Sequence, residues 1–149
     1  MFDNKQSGFT FLELLLVLSI VAIVTVIIIP SGDKWVKKQS EKEALETFIA
    51  TIHHAQAYAI AYEASTAIKF KDSGATYRLY TPNLESTKPR DVEFPTGMRV
   101  IAISSNMKGI EFTKAGNIVN SGTITLKTSA GVKLITLQLQ HGRVLVRDQ

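Results

Sequence analysis

The sequence has no cysteine in its 149 residues. That excludes disulfides, thiolate nucleophiles and cysteine-ligated metals. It does not assign a compartment, because a domain of moderate size can stabilise itself by packing alone. Histidine is scarce too: His53, His54 and His141 are the only three. Two adjacent residues on a helix point about 100° apart, so His53 and His54 do not form one metal-binding face. His141 falls in a turn. The nucleotide-binding patterns G-x-x-x-x-G-K-[ST] and G-x-G-x-x-G are missing, as is the hydrolase elbow G-x-S-x-G. No catalytic residue, metal or cofactor is nominated, and no enzyme activity is expected.

Acidic residues are few in the carboxy-terminal third. Residues 99–149 hold seven Lys or Arg against only Glu111 and Asp148, whereas residues 31–63 carry four Lys and five acidic side chains. The net charge of +4 therefore sits mostly at one end. A basic end can attract nucleic acid or an anionic surface, and it can equally be a solvated face.

One long apolar run is present. From Phe9 to Ile29 the only polar residues are Thr10, Glu13, Ser19 and Thr25. Twenty-one helical residues at about 1.5 Å each span roughly 30 Å, the thickness of a hydrocarbon core. Ser and Thr hydroxyls can bond back to the preceding turn, so they are tolerated there. Glu13 is not: a carboxylate at the centre of such a helix costs roughly 2.5–3.5 kcal/mol. The run is too long for a secretory signal peptide and has no A-x-A-like site after it. Small residues do precede it, at Ser7 and Gly8. Cleavage after Gly8 would place a new cationic amine on Phe9, one helical turn from Glu13.

"GFTFLE" followed by an unbroken apolar helix resembles the class III signal of type IV pilins and pseudopilins. The resemblance implies a cleaved leader over 1–8, with a prepilin peptidase cutting between Gly8 and Phe9 and methylating the Phe9 amine. It implies a transmembrane and filament-core helix over 9–30. Glu13 would be the residue that sets assembly register by pairing with a neighbour's amine. Pro30 lies where many pilins carry a proline and is expected to kink the helix, since it cannot donate to the Val26 carbonyl.

Beyond Pro30, Leu45, Phe48, Ile49, Ile52, Ala55, Ala59 and Ile60 form an apolar stripe at helical spacing. Ser31 or Asp33 is a candidate cap for the restarting helix. From residue 65 the period becomes two. "TAIKFK" and "TYRLYT" flank the turn "DSGA" as a hairpin. Residues 82–97, with Pro82, Pro89 and Pro95, read as a loop. "MRVIAIS", "GIEFT", "GTITLKT", "VKLITLQLQ" and "GRVLVR" read as strands separated by turns. The fold class is α+β: a long amino-terminal helix packed against a carboxy-terminal antiparallel sheet. The pilin resemblance implies that residues 31–149 form an extracytoplasmic domain.

The order "FPTGMRV", "GIEFTKAGNIVNSGTITLK", "HGRVLV" is similar to H-type minor pseudopilins of type II secretion. It is also similar to the D-type competence pseudopilins of Gram-positive bacteria (ComGD-like). The small size, short leader and lack of cysteine lean toward competence. That resemblance implies a minor subunit of a competence pseudopilus, serving DNA uptake in transformation. The prepilin would cross the plasma membrane once, with the domain outside, and reach the cell surface after assembly. Implied partners are major and minor pseudopilins, the prepilin peptidase, a membrane platform protein and an assembly ATPase.

For DNA itself, strand alternation puts Arg143 and Arg147 on one face, opposite Val144 and Val146. Lys127 and Lys133 flank the "TSAG" hairpin nearby. These four are the candidate phosphate contacts. A charge-protected edge strand explains the same residues.

Overall fold

A computed structural model describes residues 10–82, 91–138 and 143–149, with the backbone alone for 26–32. One helix, α1, spans Phe11–Ala61. It runs unbroken through Pro30, so neither Ser31 nor Asp33 has a helix start to cap. Thr10 does that instead: its Oγ1 accepts from the Glu13 N–H at 3.3 Å. Pro30, where a kink is expected, lies in the part of α1 for which the backbone alone is described.

The chain divides into two compact units, Met1–Val36 and Lys37–Gln149. In the first, every large apolar side chain from Phe11 to Val24 is at least 45 % exposed, with Phe11 and Leu12 at 76 %. The Ser19 and Thr25 hydroxyls donate to the Leu15 and Val21 carbonyls at 2.6 and 2.7 Å, the expected return bonds. Among the described residues no helix is long and apolar enough to cross a membrane. The run from Phe9 to Ile29 extends beyond the fully described residues at both ends.

Among the described residues the second unit contains the rest of α1 and eight strands. These are β1 (Thr66–Lys71), β2 (Thr76–Tyr80), β3 (Asp91–Glu93), β4 (Arg99–Ile103), β5 (Ile110–Phe112), β6 (Gly122–Thr128), β7 (Gly131–Leu137) and β8 (Val144–Asp148). They form two antiparallel sheets, ordered β3-β2-β1-β5 and β4-β6-β7-β8, where a single sheet was expected. The expected loop over 82–97 contains β3, which pairs with β2 through Thr76–Glu93, Tyr77–Val92 and Arg78–Asp91. β3 lies at the edge of its sheet, and Pro95 follows two residues after its last residue.

Both sheets turn one face to a common core. Phe48, Ile52, Ala55 and Ala59 of α1 are essentially fully buried there. They meet Ile68, Tyr77, Ile110 and Phe112 from the first sheet, and Val100, Ile124, Leu126, Ile135 and Leu137 from the second. Phe48 sits at the centre, its ring 4.9 Å from Tyr77, 5.5 Å from Phe94 and 5.9 Å from Phe70. Aromatic contacts of this geometry add to simple area burial. Leu45 is half-buried at the edge of this core, while Ile60 departs from the stripe and is 54 % exposed. Its side chain instead lies along Gly116, where an added Cβ would meet Ile60 Cγ1 at 2.5 Å. The turn after β1 is packed tightly onto the second sheet. Gly74 has φ +85°, and a Cβ there would stand 2.0 Å from the Val100 carbonyl oxygen, so only glycine fits.

Candidate functional site

Two features can act on partners: the apolar amino-terminal helix and the outer face of the second sheet.

Gly8 and Phe9 lie outside the described residues. Glu13 lies in the first turn of α1, and its side chain is exposed. Around it the helix is apolar on every side, unlike an amphipathic helix that covers a core with one stripe. Among the described residues Glu13 has no ion-pair partner.

In the second sheet the register decides which basic residues belong together. β6 alternates buried Ile124, Leu126 and Thr128 with outward Thr123, Thr125 and Lys127. Lys127 pairs with Arg99 on β4 and with Val132 on β7. Leu134 of β7 pairs with Arg147 of β8, and the Gln138 N–H donates to the Arg143 carbonyl one pair beyond β8. Arg99, Lys127, Arg147 and Arg143 are all exposed and share the outward parity. Lys133 does not. It pairs with Leu126 and therefore has the inward parity, at the margin of the core face. There its Nζ donates to the Asp148 carboxylate. The structure thus brings Arg143, Arg147 and Lys127 to one face, removes Lys133, and adds Arg99. Alternation within one segment could not identify Arg99, because its partner lies 28 residues away across a strand pairing.

Between these cations lie the apolar Val132 and Leu134 of β7 and the hydroxyls of Thr123, Thr125 and Thr136. Thr123 and Thr136 share a hydrogen bond across β6 and β7 at 3.3 Å. Among the described residues no acidic side chain lies on this face, and none of its four cations has an ion-pair partner.

A third position was invisible in the sequence. Glu41 of α1 is only 5 % exposed. Its carboxylate accepts from the Ser129 N–H at 2.9 and 3.1 Å and from the Ser129 hydroxyl at 2.6 Å. It thereby ties the β6–β7 turn to the helix. Charge-assisted bonds of this kind are stronger than neutral ones. His53 and His54 are both exposed, and His141 lies outside the described residues. No three potential ligands among the described residues lie together as a metal site requires.

Residues 3–29 match the prokaryotic N-terminal methylation motif. The fold is similar to the type IV minor pilin FimU of Pseudomonas aeruginosa (strain PAO1) in two crystal forms. In space group P21 the TM-score is 0.58 at 18 % identity, covering 76 % of this chain and 92 % of that one. In P65 the TM-score is 0.55 at 20 % identity, covering 71 % and 91 %. No curated protein matches the sequence. The chain thus carries the methylation motif at one end and has a fold similar to that of a type IV minor pilin over most of its length.

Proposed function

We propose that this chain is a minor subunit of a type IV-like competence pseudopilus that serves DNA uptake during transformation. The observation that carries the filament reading is the uncovered row from Phe11 to Val24, interrupted by the single carboxylate Glu13. So much apolar surface requires either lipid or the helices of neighbouring subunits around it. The prepilin is held in the plasma membrane by the run from Phe9 to Ile29, with residues 31–149 outside. The peptidase removes Met1–Gly8 and methylates Phe9. The helix then leaves lipid for the filament core, where other apolar helices replace acyl chains at little change in solvation.

Glu13 makes that transfer selective. In the core its carboxylate meets the amine of a neighbouring subunit, and a misplaced subunit leaves both charges desolvated and unpaired. Losing one partner of a buried pair costs several kcal/mol, more than the well-matched pair gains. The pair therefore sets register. Pro30, with no N–H to offer Val26, loosens the helix near the outer membrane surface. The partners are a major pseudopilin, sibling minor subunits, the prepilin peptidase, a platform protein and the assembly ATPase.

Competence is favoured by the order of carboxy-terminal elements and by the small, cysteine-free outer domain. The same order fits a type II secretion pseudopilus, and the neighbouring genes separate the two. A DNA receptor and DNA channel accompany a competence filament, and a secretin accompanies a secretion one.

The filament reading is tested with Glu13→Ala. The variant should still insert and be cleaved, but its amount in sheared filaments should drop by at least about tenfold, the effect of 1.4 kcal/mol. Normal incorporation would contradict the pairing.

A further inference from the structure

We propose that residues 34–38 of α1 form a collar in the outer headgroup layer of the membrane, with Trp35 at the hydrocarbon boundary and Lys34 and Lys38 on the phosphates of anionic phospholipids. The collar rests on the membrane-spanning reading given above and adds to it a depth and a lipid class.

Depth follows from the placement of charge. Glu13 and Asp33 are the nearest charged residues on either side of the apolar run, and the 19 residues between them carry none. At about 1.5 Å each, these helical residues cover roughly 30 Å, the thickness of a hydrocarbon core. Glu13 then lies at the inner boundary, where a carboxylate costs far less than at the centre, and Asp33 lies at the outer one. Trp35 follows two residues later, about 3 Å farther out. Tryptophan collects at that level in membrane proteins, because its ring is apolar and its N–H needs an acceptor.

Exposure and charge agree with that depth. Trp35 is the one tryptophan of the chain and is 70 % exposed, and Val36 beside it is 60 % exposed. Lys34 and Lys38 are exposed as well, and a spacing of four puts them on the same face of α1. Among the described residues neither is in an ion pair, whereas Lys42, one turn on, lies 4.0 Å from Glu46. Lys37 is not counted with them: a Cβ on Gly97 would stand 3.5 Å from its Nζ, so it lies along that turn. The Cα–Cβ bonds of a helix tilt toward its amino end, which for α1 is the membrane side. The stems of Lys34 and Lys38 therefore lean back toward lipid and carry their ammonium groups to the phosphates.

The test uses the full chain reconstituted in phosphatidylcholine vesicles and the fluorescence of its single tryptophan. Flotation with the vesicles after alkaline extraction reads insertion. Trp35 emission should then lie to the blue of its position in denaturant. Bromines on the acyl chains close to the headgroup should quench it more than bromines near the bilayer centre. Shallow-brominated phosphatidylglycerol should quench more than the matching phosphatidylcholine at the same low mole fraction. The anionic lipid should be enriched about fivefold beside Trp35, the effect of ~1 kcal/mol for one lysine at the surface. Lys34→Gln with Lys38→Gln should remove that preference and leave insertion unchanged. A control with the same charge change, Lys108→Gln with Lys114→Gln, should keep it. Failure to float overturns the membrane-spanning reading and the collar with it. A chain that floats while Trp35 emits as in water, or is quenched most from the bilayer centre, overturns the collar alone. Equal quenching by the two lipids, or a preference that survives in the Lys34 and Lys38 double variant, overturns the phosphate contact.

Discussion

Both sheets of the second unit set two cations opposite one another, and the two outcomes differ. On the first sheet, Lys69 and Arg78 sit beside Tyr80, and Arg78 is clamped by Asp91, which Lys71 also approaches at 3.7 Å. On the second, Arg99 and Lys127 face each other with Arg147 nearby and, among the described residues, no acid among them. The two sheets share one core and one helix, so burial does not distinguish them. What differs is whether a strand neutralises its neighbour. A face that balances its own charge is finished as a surface. A face that does not leaves its exposed cations to water and counter-ions.

The sheets also differ in how they are tied to α1. The first is held by a neutral bond, Thr66 Oγ1 to the Ala55 carbonyl at 3.0 Å. The second is held by the buried carboxylate of Glu41 on Ser129. Replacing Glu41 by Ala should therefore give the largest stability change, about 2–3 kcal/mol, because two donors lose a charged acceptor. Thr66→Val should cost only about 1 kcal/mol, the ordinary value of a neutral bond. Chemical denaturation of both variants measures the difference, and equal losses would break the contrast.

A smaller effect separates the outer faces. The hydrogen bonds from Arg78 hold the Asp91 carboxyl below its ordinary value of 3.8. A depressed carboxylate stabilises the fold above its unfolded value and ceases to do so as pH falls through the folded one. Asp91→Asn should therefore melt slightly below the unaltered chain at pH 5 and above, with the gap closing below pH 3.8. Asp91 is exposed, so the gap should be modest and should shrink with added salt. A gap that stays constant through the acid limb would show that the Arg78–Asp91 clamp is not its source.

Much of this architecture was legible in the sequence because it depends on local period. The apolar run, the stripe through Phe48, Ile52, Ala55 and Ala59, and the hairpin around "DSGA" each follow from spacing and turn residues. What was hidden depends on partners distant in sequence. Glu41 lies among Lys38, Lys42 and Glu43 and looks solvated; its acceptor role needs Ser129, 88 residues on. Lys133 appears to belong with Lys127 across the hairpin, but the β6–β7 register pairs it with Leu126 and turns it to the other face. β3 was obscured by the prolines around it, although its Val92 packs against the core. The division into two sheets arises from non-consecutive pairings such as β1 with β5 and β4 with β6, which no local pattern encodes.

The central claim concerns the amino terminus, and the mass of the mature chain purified from its own cells tests it most directly. The account predicts a polypeptide that starts at Phe9, eight residues shorter than the translated sequence, with one added methyl group. A chain still carrying Met1 would contradict it, because the amine that answers Glu13 would never have been made.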